Sequence, residues 1–229
     1  MMVSVIIPVY NECGTILQVI DAVQKVPLPN IKKEIIIVDD GSSDGTTELL
    51  QKKVHMSNVH IFYHAQNKGK GSAIRTAIPH TTGDIILIQD ADLELDPTCY
   101  PSLLEPIISK KTTVVYGARF LKNPPKISLI SKLANYAVTT TTNILYGANI
   151  TDEAAGYKVF QSDVLKSIPL QCERFEFCPE ITAKVCKRGY RIVEVPVLFR
   201  PRSRAEGKKI GWRDGFQALW VLVKYRFIN

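Results

Sequence analysis

Asp90, Asp92, Glu94 and Asp96 place four carboxylates in the stretch QDADLELD, directly after the apolar run GDIILI. Like charges this close repel, so the cluster asks for a cation or for water. Asp90 and Asp92 straddle one small residue, Ala91. In an extended strand end, residues i and i+2 point the same way, so both carboxylates are expected to face one point. Hard divalent ions such as Mg2+ and Mn2+ take this oxygen environment, often completed by phosphate oxygens. An Asp-x-Asp pair alone is a weak motif that chance supplies often, and its position after a buried run is what strengthens it. The competing reading is a solvated turn in which Asp96, followed by Pro97, is the polar start of a helix.

Two other apolar runs end in carboxylates. Tyr10-Asn11-Glu12 follows VSVIIPV, and Asp39-Asp40-Gly41-Ser42 follows EIIIV. Polar residues at strand ends are also ordinary helix caps, but three such clusters on one edge favour a shared site. A metal held there usually carries a diphosphate. Lys68, Lys70 and Arg75 of NKGKGSAIR lie near a strand-to-helix turn, as part of that site or as a solvated helix start. They do not make a P-loop, because Lys70 is followed by Gly71 and GxxxxGK[ST] is absent.

The scaffold for these clusters is legible in the hydrophobic pattern. Strands are expected at Val3–Tyr10, Glu34–Asp40, Val59–His64, Asp84–Asp90 and Thr112–Arg119. Helices fall between them. The first carries Ile16, Leu17, Ile20 and Val23 at helical spacing with Asn11 as N-cap; the second is capped by Ser43 or Asp44. KGSAIRTAI and a segment around Tyr100–Ser109 supply the others. This alternation predicts an α/β fold, a doubly wound parallel sheet whose ligands sit beyond the carboxyl ends of the strands.

After Arg119 the alternation stops. Ser128–Leu145 reads as a helix with Leu129, Leu133, Tyr136 and Ala137 on one face. Gly147–Gly156 reads as a loop, Tyr157–Phe160 as a strand, Phe177–Arg188 as a helix and Arg191–Phe199 as a strand. A basic stretch follows, with Arg200, Arg202, Arg204, Lys208, Lys209 and Arg213 against one acid, Glu206; a final amphipathic helix spans Trp212–Phe227. The expected organisation is one domain, 1–200, with an appendage, 201–229, of basic loop and helix.

The 229 residues are 45% hydrophobic, enough for a sizeable core, and carry a formal charge of +7, which favours an anionic partner. The basic residues cluster around one loop and no nucleic-acid motif appears, so nucleic acid is not the expected partner. Five cysteines without a CxxC pair argue against a zinc site or disulfide framework and suit a reducing cytosol. Met1–Pro8 lacks a charged leader, and no apolar run approaches the ~18 residues that cross a bilayer. The expectation is a soluble or peripheral protein.

VSVIIPVYNE, EIIIVDDGSSDGT, NKGKGSAIRTA, GDIILIQDADLE and DEAAGYKVF together resemble a family 2 glycosyltransferase of GT-A fold, a Rossmann-like, doubly wound mixed sheet. The resemblance runs from about residue 3 to residue 215. Within the family, ERFEFCPEITAKVCKRGYRIVEVPV and RSRAEGKKIGWRDG are similar to the dolichyl- and polyprenyl-phosphate sugar synthases. Those enzymes move one hexose from a nucleotide sugar onto a lipid phosphate.

The resemblance implies roles by position. Pro8, Tyr10, Glu12, Asp39, Asp40, Lys68, Asp90 and Ala91 would hold the nucleotide sugar, a GDP- or UDP-hexose. Asp90, Asp92 and Glu94 would hold Mg2+ or Mn2+. Arg119, Lys132, Arg202 and Lys208 would meet the acceptor phosphate, and Asp92, Arg119, Lys132 and Arg202 would carry the reaction. Lys132 stands where those synthases often have arginine, and lysine cannot grip phosphate bidentately.

The implied chemistry is displacement with inversion at the anomeric carbon. A phosphate monoester acceptor is already ionised and needs little or no general base, so the work is neutralising two anions. A saccharide hydroxyl acceptor is the alternative and would need a base. A nucleotidyltransferase would usually show a glycine-rich basic loop where PVYNECGT stands. A polyprenyl acceptor implies a protein at the cytoplasmic face of a membrane. The final helix would either lie in that interface or pack on the domain. Ser128–Leu145 would contact lipid or roof the acceptor site.

Overall fold

The computed structural model describes residues 1–122, 124–125, 127–202 and 212–228, with Lys53, Trp212 and Arg213 described in backbone only. β1 (Met2–Val9) and β2 (Lys32–Asp39) are β-branched runs buried on both faces, as central parallel strands must be. β3 (Val59–Tyr63) and β4 (Ile85–Ile88) flank them in the parallel order β3-β2-β1-β4. The connections are α1 (Ile16–Lys25), α2 (Thr46–Lys53) and α3 (Lys70–Ala77). α1 turns Ile16, Ile20 and Val23 onto the sheet as expected, with Val19 buried beside them in place of Leu17, which is half-buried.

The second half follows a different path. α4 (Tyr100–Ile108) leads into β5 (Val114–Ala118), and α5 (Leu129–Tyr146) precedes β6 (Lys158–Gln161). The last elements are α6 (Ser162–Ser167), α7 (Phe177–Lys187), β7 (Ile192–Pro196) and α8 (Trp212–Phe227). The seven strands run β3-β2-β1-β4-β6-β5-β7, with β6 antiparallel to both neighbours and β5 parallel to β7. The sheet is therefore mixed, as the GT-A resemblance implies, and the wholly parallel sheet inferred from alternation is corrected. Residues 119–157 leave and re-enter the sheet on the edge where β4 ends, which brings them over the acidic stretch.

Alternate strand residues feed two cores. Val3, Val5 and Ile7 pack under α1 and α4, while Ile6, Ile36 and Val38 pack against α3, α6 and α7. α8 buries Val221, Leu222 and Tyr225 and lies against α5 and α7; the Tyr146 hydroxyl of α5 donates to Leu222 O at 2.5 Å. Among the described residues, no helix is long and apolar enough to cross a membrane.

Several caps differ from expectation. Thr15 precedes α1, and Asn11, at φ 51°, instead ties two loops together by accepting from Ser43 N at 2.8 Å. Gly45, at φ 94°, precedes α2, and Asp44 accepts from Thr46 N inside the turn. Ser128 and Asp96 cap as their types suggest, accepting from Ser131 N and Thr98 N. α6 was not legible as a helix, because six residues are too few to show a period.

Candidate active site

β1, β2 and β4 all end on one edge of the sheet, and the carboxylates gather there. Pro8 sits inside the central strand β1, where proline normally breaks a ladder. It escapes the cost by position. Ile6 O accepts from Gln89 N, so Pro8, two residues on, faces the same way, and β4 pairing has already ended at Ile88. The chain then turns through the half-buried Tyr10 to Glu12, which is buried.

Glu12 is joined to the β4 loop twice. The Thr15 hydroxyl lies 2.9 Å from Glu12 Oε2 and 2.8 Å from Ala91 O. Arg202 forks onto Glu12, with Nη1 3.0 Å from Oε2 and Nη2 3.1 Å from Oε1, and Nη2 also lies 3.1 Å from Asp92 Oδ2. Glu94 binds the same segment through its backbone and side chain, accepting from Arg200 N at 2.8 Å and from Arg202 N at 2.6 Å.

Asp90 and Asp92 take different cationic partners. The extended backbone ends near Gln89, and the next residues form a turn that reaches φ 61° at Leu93. Asp90 pairs with the ammonium of Lys70 at the start of α3, while Asp92 pairs with Arg202. Burial, then the charges of Asp90 and Glu94, push the Asp92 carboxyl up to about 7, against the pull of Arg202. For Lys70, burial disfavours the charge, but Asp90 outweighs it and the pKa is raised.

A site this rich in negative charge, with carboxylate oxygens as donors, suits a hard divalent cation. The expected ligands are already engaged: Asp90 by the Lys70 ammonium, Asp92 by the Arg202 guanidinium and Glu94 by Arg202 N. Among the described residues, no three His, Cys, Asp or Glu side chains are gathered as a metal-ligand set.

Asp39 and Asp40 are 1% exposed, and their carboxylates shape loops. Asp39 accepts from Ser42 N, Ser42 Oγ and Thr47 Oγ1. Asp40 accepts from Lys68 N at 2.9 Å and Gly69 N at 2.6 Å, and His64 Nδ1 lies 2.6 Å away. Lys68 thus reaches Asp40 by its backbone, while its side chain is exposed.

Arg119, at the end of β5, is gripped by Asp152: Nε–Oδ2 is 2.7 Å and Nη2–Oδ1 is 2.6 Å. Burial opposes its charge, but Asp152 outweighs burial and raises its pKa further. Its guanidinium carbon lies 5.0 Å from the centre of the Phe199 ring, whose residue bridges to Leu95 of the acidic loop. Lys132 is exposed on α5, on the same face as Asn135 and Thr139. Those two side chains accept from Ala154 N and Glu153 N, beside Asp152. Lys208 lies outside the described residues, as do Arg204 and Lys209.

Residues 4–168 match the model of the family described as "Glycosyl transferase family 2". The chain belongs to glycosyl transferase family 2. This glycosyltransferase is 31% identical to the UDP-N-acetylglucosamine--dolichyl-phosphate N-acetylglucosaminyltransferase of Methanococcus voltae, over 97% of this chain and 95% of that one. It is 30% identical to the dolichol-phosphate mannosyltransferase of Pyrococcus furiosus, over 92% of this chain but 60% of that protein's length. It is 28% identical to the undecaprenyl-phosphate mannosyltransferase of Micrococcus luteus, over 92% and 88%. Its fold is that of glucosyl-3-phosphoglycerate synthase from Mycobacterium tuberculosis, solved with Mn2+, uridine-diphosphate and phosphoglyceric acid. The TM-score is 0.75 at 20% identity, over 100% of this chain and 79% of that one.

Sequence reasoning passed over residues that hold the site of this glycosyltransferase in shape. Gln89 is fully buried; its Oε1 accepts from the hydroxyls of Tyr100 at 2.9 Å and Tyr157 at 2.7 Å, and its Nε2 donates to Asp90 O. Asp152 fixes Arg119, and Glu153 accepts from the Thr182 hydroxyl at 2.9 Å. Burial pushes the Glu153 carboxyl up to about 7, against the nearby Lys158 charge. A signal existed for Asp152 and Glu153, which open the motif DEAAGYKVF, but none for Gln89.

Proposed function

We propose that the enzyme is an inverting, metal-dependent hexosyltransferase that moves one sugar from GDP-mannose or UDP-glucose to a polyprenyl or dolichyl phosphate. The observation that carries this reading is opposed charge on one sheet edge. Glu12, Asp90, Asp92 and Glu94 lie against Lys70 and Arg202, with Arg119 beside them. An enzyme that brings a diphosphate and a phosphate together needs cations, and acids to hold a metal. The lipid-phosphate acceptors in the names of three relatives support the same reading.

In this mechanism Pro8, Tyr10, Glu12, Asp39, Asp40 and Ala91 line the nucleotide side, and Lys68 covers it. A bound Mg2+ or Mn2+ supplies charge neutralisation at the donor diphosphate. Asp92 and Glu94 would hold it, with Asp90 set alongside by Lys70. Arg119, Lys132, Arg202 and Lys208 orient the acceptor phosphate for attack opposite the departing nucleotide. That phosphate is ionised at neutral pH, so no side chain has to remove a proton.

The acceptor lives in a bilayer, and the molecule has a surface suited to one. α5 exposes Leu129, Ile130 and Tyr136, and α8 exposes Phe216, Trp220 and Phe227. Lys224 and Arg226 lie at the end of α8. An apolar, aromatic face with basic flanks favours peripheral contact with the cytoplasmic face of a membrane.

The test is product formation with Mn2+ or Mg2+, polyprenyl phosphate and a panel of GDP-mannose, UDP-glucose and UDP-N-acetylglucosamine. One lipid-linked sugar is expected, and Asp92→Asn should nearly abolish it while the protein still melts cooperatively. Undiminished turnover by Asp92→Asn would remove the metal assignment. Transfer to a free saccharide but never to lipid phosphate would remove the acceptor.

A further inference from the structure

We propose that Arg202 is an internal counter-cation of the acidic site, and that a divalent metal competes with it for the Asp92 carboxylate, releasing Glu12 as well. This rests on the metal-dependent reading above and adds a switch to it. One guanidinium spans two strand ends, taking Glu12 after β1 and Asp92 after β4. Its Nη2 is shared between the two carboxylates at 3.1 Å each, so one cation serves both.

The contact is also incomplete as a permanent ion pair. Guanidinium offers five donors in a rigid fork, and here Nε is buried with no hydrogen-bond partner among the described residues. A buried donor left unmade weakens the arrangement and makes it replaceable. Lys70 is different. It pairs with Asp90 from the first residue of a helix packed on the sheet, and nothing requires it to leave.

Arg202 is joined to the site by more than its side chain. Arg202 N and Arg200 N both bond Glu94, and Phe199 bridges antiparallel to Leu95. A metal ion on Asp92 and a guanidinium in contact with the same carboxylate repel strongly in a half-buried site. Metal entry therefore expels the guanidinium from Glu12 and Asp92, and the freed fork becomes available to phosphate. Arg202 neutralises the acids before metal binds and meets an anion after it, so the acceptor side registers whether the donor side is loaded.

The experiment measures Mn2+ binding directly, by the electron paramagnetic resonance of free Mn2+, on the full chain. Wild type, Arg202→Gln and Arg202→Lys are titrated alone and with GDP or UDP, and each is melted in EDTA and in Mn2+. Arg202→Gln should bind Mn2+ without nucleotide about 5–150-fold more tightly than wild type, the range usual for coupled sites. It should melt lower than wild type in EDTA, with Mn2+ narrowing the gap. Where Arg202→Gln does not fold, Arg202→Lys carries the test, because an ammonium lacks the fork and should also bind Mn2+ more tightly than wild type. Equal or weaker Mn2+ binding by a folded variant overturns the competition and leaves the metal-dependent reading standing. No Mn2+ binding by any of the proteins, even with GDP or UDP, overturns that reading and the competition with it.

Discussion

The Asp90 carboxylate occupies the space a side chain at Gly156 would need. A Cβ on Gly156 would come 2.5 Å from Asp90 Oδ2 and 2.6 Å from Leu95 Cδ1. The glycine of DEAAGYKVF is thus required by the acidic stretch, far from it in sequence. It lets the excursion between β5 and β6 close over the end of β4.

Gly156→Ala should therefore act on Asp90. The added methyl pushes Asp90 from Lys70, and turnover should fall by up to about 100-fold, as a misplacement near 1 Å can cost elsewhere. Turnover is measured beside thermal melting. Wild-type activity in the variant would mean that Asp90 tolerates displacement.

Gln89→Leu should be strongly destabilising. It leaves the hydroxyls of Tyr100 and Tyr157 buried without their shared acceptor. At roughly 1–3 kcal/mol for each unsatisfied group, the loss should be on the order of 2–6 kcal/mol in urea unfolding. A change below about 0.5 kcal/mol would show that the hydroxyls find other partners.

Arg119→Lys should separate charge from shape. Lysine keeps the cation but cannot hold the two Asp152 oxygens as the fork does. The KM for acceptor should rise about tenfold, one lost charged hydrogen bond, with kcat changed less. Unchanged kinetics for both substrates would remove Arg119 from the acceptor phosphate.

Glu153 makes stability depend on pH. With its folded carboxyl raised to about 7, the folded state holds a proton that the unfolded chain releases near 4.5. Stability from this group is thus lost as pH rises from 4.5 through 7, by on the order of 3 kcal/mol. Glu153→Gln should flatten that loss and melt above wild type at pH 8, while matching it near pH 4.5. Parallel pH profiles for the two proteins would show that Glu153 does not titrate in this range.

Much of the scaffold was legible in the chain alone. Runs such as EIIIV and DIILI are short, rich in β-branched residues and so read as buried strands, and the periodicity of Ile16, Ile20 and Val23 specifies a helix on one face. These are local properties, so the first four strands and the carboxylates that end three of them followed. The family was legible for the same reason, because its motifs are contiguous.

The tertiary structure decided what depends on distance in sequence. β6 is antiparallel because the chain between β5 and β6 leaves and returns on one edge, which no local period encodes. Asp90 is paired with Lys70, 20 residues away, and Asp92 with Arg202, 110 residues away. The sequence alone determined which residues could carry charge at the strand ends. Folding determined which charge meets which, since electrostatic partners are chosen by proximity in space rather than by position in the chain.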